Sequence, residues 1–159
     1  ADIYVDIQDC PTIKPESIRK VIEPFLKEEN ISFTTLIIKI KNKNEIDKNN
    51  IFKVILNKEK EMVYLSRSRI PAVKDTSDIT PEFYKSIAIF CTKKEIIKKF
   101  TKLPQGPLEL AESHEILRYL ENKIPIKLIE IDEDPPSVDI PEDIELVRDI
   151  IGKRIRENS

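Results

Sequence analysis

Apolar residues follow two different periods along the chain. Short β-branched runs that alternate or continue without a break favour strands. We predict strands over residues 3–8, 33–40, 52–56, 62–66, 84–92 and 126–131. The third and fourth of these runs are separated by a short charged stretch, which predicts a β-hairpin.

Between these runs, apolar residues return at helical spacing, often just after a proline that suits a first helical position. Helices are predicted from Pro15 onward, over 93–102, over 108–122 and from Pro141 toward the end of the chain. Pro24 is expected to kink the first helix or to end it early.

The last helix has apolar residues three or four positions apart, and we expect Ile144, Val147 and Ile151 to bury one face. Strands that alternate with helices and include a hairpin indicate the α/β class. The prediction is a mixed, mostly parallel sheet flanked by helices, with a β-hairpin excursion, in a single domain over 1–159.

Composition narrows the function. The net charge of −2 argues against a nucleic-acid binder, and no apolar run reaches the ~20 residues of a membrane span. A single histidine excludes a multi-histidine metal site, and two glycines leave no glycine-rich phosphate loop within these residues. Two cysteines exclude a disulfide scaffold and favour a reducing, cytoplasmic compartment.

Two acidic residues stand out by their positions. Asp9 follows the first predicted strand, and Asp139 follows the last strand and precedes a helix that a proline opens. Ligands of open α/β sheets bind beyond the carboxyl ends of the strands, and two carboxylates there could hold Mg²⁺. The alternative is that both residues are ordinary turn or helix-cap residues.

The roles of two basic residues and of the histidine are less clearly indicated by the sequence than those of the two aspartates. Arg67 lies at the end of a strand and could bind a carboxylate or phosphate, or could be solvated. Lys53 lies within an apolar strand, where it faces a ligand or, as the pattern favours, the solvent side. His114 has no nucleophile associated with it and is interpreted as a packing or surface histidine.

Several short motifs carry a family resemblance through their order and spacing. They are DIYVDIQDCP (2–11), NIFKVI (50–55), YLSRSRIP (64–71), YKSIAIF (84–90), PLELAES (107–113) with a following Leu-Arg, and VDIPEDI (138–144). In this order they resemble the CTP:sugar-acid cytidylyltransferases, and among them the 3-deoxy-manno-octulosonate (Kdo) cytidylyltransferases.

The resemblance implies a nucleotide-diphospho-sugar transferase-like fold that requires Mg²⁺. In the family, a sugar hydroxyl attacks the α-phosphate of CTP and expels pyrophosphate, a step in surface polysaccharide synthesis. Matching positions imply that Asp9 and Asp139 are catalytic and bind the metal. Further matches imply contacts to the substrate from Gln8, Asn50, Lys53, Arg67, Glu109 and Glu112. The family also implies a cytoplasmic homodimer that binds CTP and a sugar acid, without nucleic acid or membrane.

This sequence departs from the family pattern in several places. No glycine separates Gln8 from Asp9, and Ser86, Phe90 and Leu110 stand where the family has polar sugar-binding side chains. A strand at the very start, and no phosphate-gripping loop, lead us to expect that 1–159 is the C-terminal larger part of the family fold. Two alternatives remain. One is a synthetase for another acid, such as an amino-Kdo or a nonulosonic acid. The other is a truncated, non-catalytic relative with a dimerisation or regulatory role.

Overall fold

A computed structural model describes residues 2–74, 80–138, 141 and 143–157. All of the predicted strands are present. They are β1 (Ile3–Ile7), β2 (Phe33–Lys39), β3 (Lys53–Leu56), β4 (Met62–Ser66), β5 (Tyr84–Lys93) and β6 (Lys127–Glu130). The helices are α1 (Pro15–Lys27), α2 (Lys94–Phe100), α3 (Pro107–Glu112), α4 (Ile116–Glu121) and α5 (Asp143–Glu157). Strands β3 and β4 form the predicted hairpin.

The strands form one six-stranded sheet in the order β4-β3-β5-β2-β6, with β1 paired to β5. The mixed α/β class is therefore confirmed. The expectation of mostly parallel pairing is wrong, because among the described strands only β2 and β6 pair in parallel. Strand β5 runs against β1, β2 and β3 and lies between them, so strands that share a direction rarely touch.

Strands β1 and β3 share one edge of β5, because β2 occupies the other edge along its length. They meet near the middle of β5. The Gln8 N–H donates to the Ala88 carbonyl (2.9 Å), and the Ser86 N–H donates to the Phe52 carbonyl (3.0 Å). The carboxyl end of β1 and the start of β3 are thereby brought to the same place in the sheet.

Apolar side chains cover both faces of the sheet. On one face, Phe33, Leu65 and Phe90 pack against Leu117 and Tyr119 of α4. On the other face, Leu36, Ile89 and Cys91 pack against Val21 of α1. The alternation along β5, with Ile87, Ile89 and Cys91 on one face and Ala88 and Phe90 on the other, follows from the two-residue period of a strand.

Two helix predictions are corrected. Helix α1 continues past Pro24 to Lys27, so the alternative that the proline ends the helix early is wrong; the Pro24 carbonyl accepts from the Glu28 N–H (2.9 Å) at the end of the helix. The single helix predicted over 108–122 is two helices. Ser113 adopts a left-handed conformation with φ of 51°, which ends α3 and turns the chain into α4.

The expected apolar face of α5 is also narrower than predicted. Val147 is 7% exposed, whereas Ile144 and Ile151 are 41% and 38% exposed. Helical spacing places these residues on one side of the helix, but it does not determine how much of that side meets the rest of the protein. None of the described helices combines the length and the apolar character that a bilayer span requires.

Candidate functional site

Asp9 lies just beyond the carboxyl end of β1, as predicted, and is exposed. Its φ of 54° is left-handed, a conformation that aspartate tolerates better than most residues. The Asp9 carbonyl accepts a hydrogen bond from the Val138 N–H (2.9 Å). The residue after Val138 is Asp139, which lies outside the described residues. The segment that follows β6 therefore comes back to Asp9, although residues 9 and 138 are 129 positions apart in the chain.

Ion pairs and hydrogen bonds hold the segment that follows β6. Lys85 of β5 bonds to Asp134 of that segment (2.8 Å) and to Glu45 (2.7 Å), and burial leaves the lysine side chain 12% exposed. The Ser17 hydroxyl at the start of α1 donates to Glu133 (2.7 Å). These contacts fix the approach of Val138 to Asp9. No group of three or more metal-ligating side chains occurs among the residues that the structure describes.

Arg67 follows the end of β4 and turns toward the start of β3. Its Nε donates to the Glu112 carbonyl (2.9 Å), and one terminal nitrogen donates to the Asn49 carbonyl (3.1 Å). Its guanidinium lies over the Phe52 ring, 4.2 Å from the centroid. Stacking on an aromatic face, together with carbonyl acceptors at two of the nitrogens, holds a guanidinium in one plane. The orientation of Arg67 is therefore set by the protein.

Glu112, at the end of α3, points its carboxylate at Ser66 and Arg67, where β4 ends. One oxygen accepts from the Ser66 hydroxyl (2.5 Å), and the other accepts from the Arg67 backbone N–H (2.8 Å). The resemblance implies that Glu112 contacts the sugar acid, but in the structure its carboxylate is hydrogen-bonded to Ser66 and Arg67 of the protein itself.

Lys53 is fully buried, with 0% exposure, so the expectation that it faces solvent is wrong. Its ammonium donates to the carbonyls of Lys48 (2.7 Å), Ile51 (2.6 Å) and Arg67. Strand alternation alone could not show this, because the 48–51 turn folds back over the strand. Burial lowers the pKa of Lys53, and the nearby Asp47 and Glu112 carboxylates oppose that shift.

Glu109 is buried at 4% exposure and forms an ion pair with Arg118. Two guanidinium nitrogens of Arg118 and the Gln105 amide (3.1 Å) donate to its carboxylate. The hydrogen bond from Arg118 lowers the pKa of Glu109. This pair links α3 to α4 and supports the helix that carries Glu112.

The remaining predicted residues lie at the edges of this region. The Gln8 amide donates to Asp6 (2.6 Å), and the Gln8 backbone is fixed on β5. Asn50 is exposed in the turn between Lys48 and Ile51. The structure therefore groups Asn50, Lys53, Arg67 and Glu112 in one cluster, while Gln8 and Asp9 approach from the end of β1.

His114 is a packing histidine, as one of the two predicted alternatives had it, but its place in this region was not predicted. Its ring meets the Phe52 ring edge to face, with centroids 4.5 Å apart, and its Nδ1 accepts from the Ile116 N–H (3.3 Å). Burial is the main cause that lowers its pKa, and the Arg67 charge contributes. The sequence signal was its place close after Glu112, but only the break at Ser113 turns it toward Phe52.

The departures from the family pattern have visible consequences. The Ser86 hydroxyl is buried and has no hydrogen-bond partner among the residues that the structure describes. Phe90 packs edge to face on Phe33, with centroids 5.9 Å apart. Leu110 is 62% exposed on α3. At these three positions the protein is therefore less polar than the family pattern.

Comparisons with known proteins agree on one family. A family model described as "Cytidylyltransferase" matches residues 1–131. The chain is 34% identical over 156 residues to the 3-deoxy-manno-octulosonate cytidylyltransferase of Chlorobium limicola, covering 96% of this chain and 63% of that protein. The corresponding protein of Syntrophus aciditrophicus is 36% identical over 157 residues, covering 98% of this chain and 62% of that protein.

A solved structure gives the same fold. It is a CMP:2-keto-3-deoxy-manno-octonic acid synthetase complexed with CTP, and it superposes with a TM-score of 0.89 at 28% identity. The match covers 97% of this chain and 63% of that one. The chain thus spans a little under two thirds of the length of the relatives it matches.

Proposed function

Because this chain belongs to the cytidylyltransferase family, we propose that the protein transfers a cytidylyl group from CTP to Kdo and releases pyrophosphate. The sugar 2-hydroxyl attacks the α-phosphorus, a new O–P bond forms, and the bond to the β-phosphate oxygen breaks. The hydroxyl proton passes to water, and pyrophosphate is the leaving group. Such a transfer depends mainly on positioning and charge stabilisation.

The observation that carries the proposal for the sugar acid is the fixed guanidinium of Arg67. The guanidinium is stacked on Phe52 and bonded to carbonyls through two of its nitrogens, and its other terminal nitrogen has no partner among the described residues and could donate to a carboxylate. A 2-keto sugar acid has such a carboxylate next to its reacting carbon. Binding at Arg67 would therefore orient the attacking hydroxyl as well as anchor the substrate.

We further propose that Asp9 and Asp139 hold Mg²⁺. The donor set fits this ion, which in such sites takes one or two carboxylates and completes its shell with waters and substrate phosphates. The bond between Val138 and Asp9 supports the pairing. When bound, the ion would lower the pKa of the attacking hydroxyl and offset charge on the phosphate. The backbone contact at Asp9 would orient its carboxylate.

The proposal concerns the whole protein, because the relatives are longer than this chain. We propose that additional chain, of the kind the relatives have, covers β1. That strand exposes Tyr4 (48%), Val5 (37%) and Ile7 (43%), which is unusual for apolar residues of a strand. A non-catalytic, truncated relative is the alternative that this length leaves open. An intact mass near 18.5 kDa for the purified native protein would favour that alternative.

We also propose that the protein is a cytoplasmic homodimer that serves surface polysaccharide synthesis. Buried thiols at Cys10 and Cys91 are consistent with a reducing compartment. The exposed apolar residues on one side of α5, among them Ile144 and Ile155, are candidates for a dimer contact. Sedimentation or light scattering of the purified full-length protein measures the assembly directly.

The decisive experiment incubates the full-length protein with CTP, Kdo and Mg²⁺ and separates the nucleotides by chromatography. We expect CMP-Kdo and pyrophosphate in equal amounts, and we expect a chelator to stop their formation. The same assay with an amino-Kdo and a nonulosonic acid tests the alternative substrates. Equal or faster turnover of another acid would replace Kdo in the proposal. If the protein turns over none of these acids, the proposal that it is a sugar-acid cytidylyltransferase is contradicted.

A further inference from the structure

Lys53 carries a buried charge with an unusual set of partners. Its three hydrogen bonds all go to backbone carbonyls, those of Lys48, Ile51 and Arg67. A neutral amine has only two N–H groups, so three acceptors require the ammonium form. Within the described part of the chain, no carboxylate lies within ion-pair distance of it. The charge is therefore satisfied by main-chain dipoles.

The neighbouring lysine shows how different this arrangement is. Lys85 lies directly opposite Lys53 in the β3–β5 pairing. Lys85 forms ion pairs with Glu45 and Asp134, as a largely buried cation usually does. Lys53 instead joins two pieces of chain that are 19 positions apart, residues 48 and 67.

The backbone of Arg67 is thus held from both sides. Its carbonyl accepts from the Lys53 ammonium, and its N–H donates to the Glu112 carboxylate (2.8 Å). Its side chain is held by the same two elements, through the Glu112 carbonyl and through the Asn49 carbonyl of the turn that Lys53 organises. Among the described residues, the remaining terminal nitrogen of the guanidinium has no hydrogen-bond partner.

We propose that Lys53, together with Glu112, is a positioning residue that presents Arg67 to the carboxylate of the sugar acid, and that neither contacts the substrate. This inference rests on the proposed function and changes the role that the family resemblance implies for both residues. Complete burial keeps the Lys53 ammonium away from any ligand. Both oxygens of Glu112 are engaged by Ser66 and Arg67.

The test is a double-mutant cycle in the full-length protein. Lys53→Met keeps the length of the side chain but removes the three donors, and Arg67→Lys removes the planar fork. If Lys53 acts through Arg67, each single change raises the KM for Kdo roughly 10-fold or more, with the KM for CTP within about 2-fold. The double variant should then be little worse than Arg67→Lys alone, because neighbouring residues that share one function are not additive.

Two further variants keep the test informative. Lys58→Met removes an exposed lysine of the β3–β4 turn and should leave both KM values unchanged. Glu112→Gln keeps the size of the side chain but replaces one acceptor by an amide. It should reproduce the rise in the KM for Kdo if Lys53→Met does not fold. A Kdo KM that stays unchanged in the folded variants, or effects that add fully in the cycle, would overturn the proposal.

A readout without substrate separates this proposal from the proposed function. Hydrogen–deuterium exchange of the Lys53→Met variant should be faster in peptides that cover residues 48–52 and 66–69, and unchanged in β5 and α1. Lys58→Met should show no such change. Protection equal to wild type at 66–69 would contradict the positioning role even if the protein turns over no sugar acid. Absence of Kdo turnover in the wild type, with the exchange pattern as expected, would contradict only the proposed substrate.

Discussion

At the scale of single residues, the site depends on groups whose partners are main-chain atoms. Arg67 is oriented by carbonyls and by the Phe52 ring, and Glu112 binds a backbone N–H. Backbone groups cannot move away without unfolding a turn, so these side chains keep one orientation. A carboxylate-binding site that must distinguish one sugar acid from another benefits from such rigidity.

Arg67 is the residue for which a conservative change is most informative. Arg67→Lys keeps the positive charge but loses the two parallel N–H groups that match a carboxylate. We expect the KM for the sugar acid to rise by roughly 10-fold or more, with little change in the KM for CTP. Steady-state kinetics with each substrate varied in turn measures this. If the KM for the sugar acid is unchanged, Arg67 does not bind the acid.

The acidic pair gives the second prediction at this scale. Asp9→Asn and Asp139→Asn each keep the size of the side chain but remove the charge that would hold Mg²⁺. We expect turnover to fall by roughly 1,000-fold or more in either variant. The melting temperature should stay near wild type, since the Asp9 contact to Val138 uses a backbone carbonyl. Near-normal turnover in both variants would exclude the metal role.

At the scale of elements, the break between α3 and α4 decides which side chains enter the site. Ser113, in its left-handed conformation, ends α3 just after Glu112, and α4 then begins at Ile116. Gly106 precedes α3, and the Glu121 carboxylate of α4 accepts from the Leu108 N–H (3.2 Å) there. The end of α4 thereby supports the start of α3 and so positions Glu112.

The two glycines of the chain should respond to alanine in opposite ways. A Cβ on Gly106 would lie 2.1 Å from the Glu121 carboxylate and would displace it from the start of α3. The end of the Glu121 side chain can move, so the main loss is its hydrogen bond to Leu108, and we expect Gly106→Ala to lower the free energy of unfolding by up to about 1 kcal/mol. Gly152 lies within α5, where the nearest atom would be 3.5 Å away, so Gly152→Ala should raise it by ~0.5–1 kcal/mol. Urea denaturation compares the two, and equal effects would contradict this packing.

Helix α5 allows a similar matched comparison. Among the described residues of α5, Val147 is buried. The adjacent Leu146 is 53% exposed. We expect Val147→Asp to cost about 3 kcal/mol, since it places an unpaired charge against the protein. Leu146→Asp should change stability by less than about 0.5 kcal/mol. Thermal unfolding followed by circular dichroism decides, and a wild-type melting temperature for Val147→Asp would show that α5 is not packed as described.

At the scale of the whole molecule, the single histidine gives a clean dependence of stability on pH. Burial holds the pKa of His114 below its ordinary value of 6.5, while Glu115 and Glu112 favour the charged form and Arg67 opposes it. The unfolded chain therefore binds a proton below pH 6.5 that the folded protein does not yet bind. Stability should fall as the pH drops from 6.5 toward the lower pKa of the folded state.

This dependence is tested by urea denaturation between pH 7.5 and about 5.5, in wild type and in His114→Gln. The wild type should lose stability across the acid part of this range. The variant should lose much less, because the carboxylates with lowered pKa values, such as Glu109, titrate only below their ordinary value of 4.5. Parallel curves for the two proteins would show that His114 is not held neutral by burial.

The sequence by itself determined the elements and the family. Two-residue and helical periods identified all the strands and most helices, because each period reflects a side chain's own direction along one element. The resemblance, carried by motifs such as the one around Arg67, identified the family. The prediction that Asp9 follows a strand end was correct because only local order was needed.

Only the tertiary structure decided how these elements meet. Pairing direction depends on which strands become neighbours, so the insertion of β5 between β1 and β2 could not be predicted from periodicity. The burial of Lys53 depends on a turn that folds back over its strand, and the partners of Arg67 come from two segments that are far apart in the chain, residues 49–53 and Glu112. Such contacts join residues far apart in the chain, and local patterns contain no information about which distant carbonyl or carboxylate a side chain will meet.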